Sequence, residues 1–172
     1  MSYSSILPWL AFQGVWLVCA IGAASGHGAL GIAAALVFAA AGITWSRQPA
    51  RDTCLIAASG IVGFVIESGL VIVGVIRFAA PWPAEALAPA WIVALWMAFG
   101  ATLPSITDKL GAHRLKTAAA LGAVAGPLAY LAGARLGALH FDGSATWSFV
   151  VLSVIWAAVM AGLVALHARL EQ

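Results

Sequence analysis

The chain has 172 residues, 63% of them hydrophobic and 8% charged, with a formal net charge of +2 and a mean hydropathy of +1.03. A water-soluble domain carries roughly 25% charged residues; a chain this poor in charge has too little polar surface to face water, so its solvent is lipid. The small, scattered net charge excludes a nucleic-acid-binding surface, and no polar segment is long enough for a second domain beside a single one spanning 1–172.

The start, Met1-Ser-Tyr-Ser-Ser, lacks the basic residues of a signal-peptide n-region. No small-residue cleavage site follows 6–24, so that stretch reads as a retained first span. A spanning helix needs about 20 mostly apolar residues. Six stretches qualify: 6–24, 28–45, 53–76, 89–107, 117–139 and 145–167. The expected fold is an all-α, six-transmembrane-helix bundle with short connections. Ser25-Gly-His27 is a tight turn, and 46–52 is a polar break with Pro49 as a helix stopper. The stretch 77–88 carries Pro81 and Pro83, which favour extended backbone. Asp108–Lys116 is the most charged loop, suited to anionic lipid headgroups, and 140–144 is a polar turn.

Charge sets the expected orientation. Arg47, Arg51, Lys109, Arg114, Lys116 and Arg169 fall on one side, and only Arg77 and Arg135 on the other. The positive-inside rule puts the first set, and both termini, in the cytoplasm. Trp82, Trp91 and Trp147 then fall at outer ends and Trp9 and Trp45 near inner ends, at headgroup level. Trp16, Trp96 and Trp156 lie deeper, where an indole N–H requires a protein partner. Cys19 and Cys54 lie toward opposite faces, so no disulfide is expected. No Cys or His pair has metal-ligand spacing, and no cofactor motif is present.

Helices in lipid associate through close packing, which small residues permit. The fifth span holds Gly122-x-x-x-Gly126 and Gly133-x-x-x-Gly137, expected to pack within the bundle, and Pro127, which frees the carbonyl of Ala123 and favours a kink. The third span carries the one acid deep within a span, Glu67. Helical spacing puts Gly60, Gly63 and Gly74 on its face, so Glu67 is expected to point at another helix. A mid-membrane acid costs of order 3 kcal/mol on insertion scales and marks either a functional site or a structural pin. Gln13, Trp16, Trp96, Tyr130 and, from the outer end of the fifth span, Arg135 carry donors that suit a carboxylate. Together with Glu67 they define an expected polar pocket in the outer half.

The runs Trp91-Ile-Val-Ala-Leu-Trp96-Met-Ala-Phe99-Gly-Ala-Thr102 and Gly122-Ala-Val-Ala-Gly126-Pro127-Leu-Ala-Tyr130, with Phe12-Gln13-Gly-Val-Trp16 and the Glu67-Ser68 pair, resemble a family of small bacterial inner-membrane proteins of unknown function. The resemblance covers nearly the whole chain. It implies encoding beside cyclopropane-fatty-acid synthase and oxidoreductase genes, and hence a setting of membrane-lipid modification; it assigns no catalytic residue. Three functions stay open. One is an accessory protein binding a lipid or lipid-linked substrate near Glu67, alongside a lipid-modifying enzyme. Another is a small proton-coupled transporter that titrates Glu67, although no internal repeat is visible. The last is an intramembrane enzyme with Glu67 as general base, which lacks an evident second catalytic group.

Overall fold

The computed structural model describes residues 7–172. The expected start of the first span at Ile6, and the segment before it, lie outside the described residues. Six helices follow in chain order: α1 (Leu7–Ala24), α2 (Gly28–Thr44), α3 (Pro49–Ile72), α4 (Ala90–Thr107), α5 (Arg114–Arg135) and α6 (Ala145–Leu170). Five are long and apolar enough to cross a membrane; α2 is a shorter apolar helix of 17 residues. The helices are apolar nearly all round, and large hydrophobics such as Val37, Ile61 and Val154 face outward, which is the pattern of helices solvated by lipid.

Two features differ from the sequence reading. Pro49 opens α3 instead of stopping a helix; at the first helical position the missing N–H would have no intrahelical partner anyway. The bundle also carries a small sheet. β1 (Ile76–Phe78) pairs antiparallel with β2 (Leu139–Phe141), with Arg77 opposite His140. The spans assigned to 53–76 and 117–139 therefore end early, at 72 and 135. Gly74 (φ 70°) and Gly137 (φ 83°) take left-handed backbone just past the two helix ends. Val75 N donates to Leu70 O at 2.9 Å, and Ala138 N to Gly133 O at 2.9 Å. Both ends are Schellman caps, which favour glycine at that position. Gly137 thus terminates α5 and does not form a packing pair with Gly133.

α4 is the centre of the bundle, packed by α1, α2, α3 and α6, while α5 packs chiefly on α6. At the end of the bundle opposite the sheet, Asp52 in the first turn of α3 accepts from Ser46 Oγ (2.6 Å) and Arg51 Nε (2.7 Å), and Arg51 reaches Glu171 at 3.6 Å. That group of side chains ties the start of α3 to the end of α6.

The units α3–β1–α4 and α5–β2–α6 are built alike, a repeat that the sequence does not display. Gly63 and Gly126 each lie 11 residues before the capping glycine, and the strand begins two residues after it in both. Asp142 N donates to Val75 O (3.2 Å) and Ala79 N to Ala138 O (2.9 Å), a reciprocal pair of bonds between equivalent positions. Arg77 and His140 are themselves equivalent, so the strand pair is symmetric about its own midpoint.

Candidate functional site

The same symmetry builds the interior. Gly63 leaves space on α3 that the Trp96 indole fills; a Cβ there would stand 2.2 Å from Trp96 Cγ. On α5, Gly126 receives the indole of Trp156 in the same way, again with 2.2 Å to Cγ. The two indoles stack on each other, with centroids 4.7 Å apart and planes 17° from parallel. One helical turn beyond each glycine stand Glu67 and Tyr130, which lie on the same faces as the glycines. They meet across the stack, where the Tyr130 hydroxyl donates to Glu67 Oε1. Trp96 Nε1 donates to the same oxygen at 2.8 Å.

Glu67 is 0% exposed, and Trp96 and Tyr130 are buried. Among the described residues Glu67 Oε2 has no hydrogen-bond partner, and neither has the buried Trp156 Nε1. No Lys, Arg or His forms an ion pair with Glu67 among the described residues. The carboxyl is held by neutral donors alone.

Beside this node lies a groove of ≈ 620 Å³. Aromatic side chains of α1 (Trp9, Phe12, Trp16) and α4 (Trp91, Trp96, Phe99) form one wall. The opposite wall is a smooth face of α5, made by Gly122, Ala125, Gly126, Ala129, Ala132 and Gly133. Trp9, Leu121 and Leu128 line the groove and are also exposed at the molecular surface, so it opens sideways between α1 and α5. Among the described residues its lining has no Asp, Glu, Lys, Arg or His; Gln13 and Tyr130 supply its polar groups besides the indole N–H groups.

The structure brings Glu67, Trp96 and Tyr130 into direct contact. Gln13 and Trp16 line the groove on the far side of Trp96 and Tyr130 and make no hydrogen bond to Glu67. Arg135 is exposed at the end of α5 and lines no part of the groove; the helix ends there, and the side chain stays at the surface. Gly122 and Gly126 face Trp156 and Met160 of α6, so this glycine pair packs within the chain. Gly60 approaches Met97 of α4. Pro127 is buried in an α5 that stays helical through it. The sequence reading left Trp156 outside the pocket. Its signal was available: a deep indole 30 residues after Gly126, against 33 between Gly63 and Trp96.

No curated protein and no solved structure matches the chain. A protein family of unknown function, DUF2878, matches residues 5–162, a range that takes in all of the node and the groove. The chain belongs to this family.

Proposed function

We propose that the protein is a six-span inner-membrane protein with both termini cytoplasmic, and that it holds a lipid or lipid-linked molecule in the groove between α1 and α5. The observation that carries the reading is the groove itself: ≈ 620 Å³, open sideways, aromatic on one wall, smooth on the other, and free of charged side chains among the described residues. Ligand sites of this size are mostly apolar with few polar groups, and a side opening lets a lipid enter without leaving the bilayer. α2 serves as the sixth span, since 17 residues give about 26 Å at 1.5 Å per residue, near the thickness of a thin bilayer core. Six of the eight Lys and Arg residues lie on the proposed cytoplasmic side. In this role the protein presents its lipid to a lipid-modifying enzyme. Mass spectrometry of the protein released from its native membrane tests the binding. A discrete lipid is expected on the wild type and lost in Ala129→Phe, which fills the groove from the α5 wall; equal lipid on both rejects the site.

One observation favours a second reading, a small proton-coupled carrier. The node sits between two similar units, and in many transporters substrate and ion sites lie at the interface of internal repeats. Proton flux into liposomes that depends on Glu67 separates this reading from simple binding.

A further inference from the structure

Glu67 does not line the groove, yet the two side chains that donate to it do. Tyr130 and Trp96 each line the groove and donate a hydrogen bond to Glu67 Oε1. They are the partition between a buried carboxyl and a binding cavity. A molecule that displaces the Tyr130 ring or the Trp96 indole changes the hydrogen bonding of Glu67. A change in the protonation of Glu67 changes how firmly Tyr130 and Trp96 are held, because a carboxylate accepts from both more strongly than a carboxylic acid does. The stacked Trp156 extends the same partition, since it also lines the groove and rests on Gly126.

The surroundings of Glu67 leave little else to titrate with it. α5 presents Tyr130 and α4 presents Trp96, which does not titrate; the adjacent Ser68 of α3 accepts from Ala88 N at 3.0 Å and is likewise non-titrating. The acidic and basic groups of α6 that form ion pairs, His167 and Glu171, lie in its last turn and beyond, at the opposite end of the bundle from the sheet. The free second oxygen, Oε2, is where a proton is gained or lost without breaking either existing bond.

We propose that groove occupancy and protonation of Glu67 are linked, with Tyr130 and Trp96 as the coupling elements, so that the protein binds its lipid with a proton-dependent affinity. The proposal rests on the groove being a lipid site. Linkage is reciprocal: if a proton on Glu67 changes lipid affinity by some factor, bound lipid changes proton affinity by the same factor.

The test uses full-length protein in phosphatidylcholine nanodiscs, with phosphatidylcholine bearing a mid-chain nitroxide as the probe and quenching of tryptophan fluorescence as the readout. The headgroup of this probe keeps its charge between about pH 5 and about pH 9, well above the range of its phosphate and clear of the ordinary carboxylate range. Saturable quenching in the wild type is expected to change at least about fivefold in apparent affinity across that interval, the lower end of typical coupling. Glu67→Gln, which keeps an acceptor for Tyr130 and Trp96, is expected to bind with a pH-independent affinity. Tyr130→Phe keeps Glu67 buried and is expected to reduce the pH dependence. Saturable binding that is flat with pH in the wild type overturns the linkage and leaves the groove as a lipid site. A pH dependence that persists in Glu67→Gln overturns the assignment to Glu67. No saturable quenching at any pH overturns the lipid site and the linkage together.

Discussion

Tyr130 donates its hydroxyl to Glu67 from the position that Glu67 itself occupies in the other half of the structure. Each stands four residues after a glycine that seats a tryptophan, and the two tryptophans stack between them. One half supplies the carboxyl and the other the phenol, so a nearly symmetric frame holds an asymmetric polar pair. The pair joins α3 to α5, which otherwise pack mainly on α4 and α6.

Replacing Glu67 separates its shape from its charge. Glu67→Gln retains an oxygen acceptor for Tyr130 and Trp96, and its unfolding free energy in detergent is expected to stay within about 1 kcal/mol of wild type. Glu67→Leu strands two buried donors at about 1–3 kcal/mol each. Denaturant titration of the three proteins checks this; equal stability for all would show that neither hydrogen bond forms.

The glycines that seat the indoles are expected to be intolerant of a methyl group. Gly63→Ala and Gly126→Ala each place a Cβ 2.2 Å from a tryptophan Cγ, and because the two indoles stack on each other neither ring moves away without displacing its partner. Overpacking of this kind costs about 1–3 kcal/mol. Gly69→Ala, on the same helix with nothing within 4 Å of its Cβ, is expected to be neutral or slightly stabilising, because alanine favours the helix. Thermal melts of the three variants decide.

At the sheet, burial is expected to outweigh charge. Ile76 is fully buried, so Ile76→Ala is expected to cost about 2–5 kcal/mol. The Arg77–Asp142 pair is short, 2.7 Å, but largely exposed on the arginine side, and Asp142→Asn is expected to cost less than about 1 kcal/mol. A larger loss in Asp142→Asn than in Ile76→Ala would mean that the ion pair, not the packing, joins the two units.

The proposed orientation is checked with single cysteines in a protein lacking Cys19 and Cys54. A cysteine at Asp142 is expected to react with an impermeant maleimide on intact cells, and one at Arg47 only after the membrane is broken. The reverse pattern would invert the topology.

The helices were legible because apolar length is a local property. Ala24 and Thr107 end their helices where hydropathy places them, and Ala145 begins one as expected. The strands were not, because three residues such as Ile76-Arg-Phe78 become a strand only through a partner 63 positions away. Pro49 was ambiguous by chemistry, since the same ring that ends one helix suits the first turn of the next. Glu67 was conspicuous as the lone acid in an apolar run, and its glycine-lined face pointed to another helix. The repeat was hidden because the two units share residue identity at few positions, such as Gly63 with Gly126 and Gly74 with Gly137, while Glu67 faces Tyr130 and not a second glutamate. Arg135 looked available from its place in the chain, but the early end of α5 leaves it on the surface.

The central claim is that the groove between α1 and α5 holds its own lipid. A photoreactive benzoyl-phenylalanine at Leu128, on the rim of the groove, is to be compared with one at Val154, exposed on α6. After illumination in native membranes, mass spectrometry of the adducts is expected to show a discrete lipid species at 128 and the mixed bulk lipids at 154. The same lipid distribution at both positions would contradict the account, because the groove would then be ordinary lipid-facing surface.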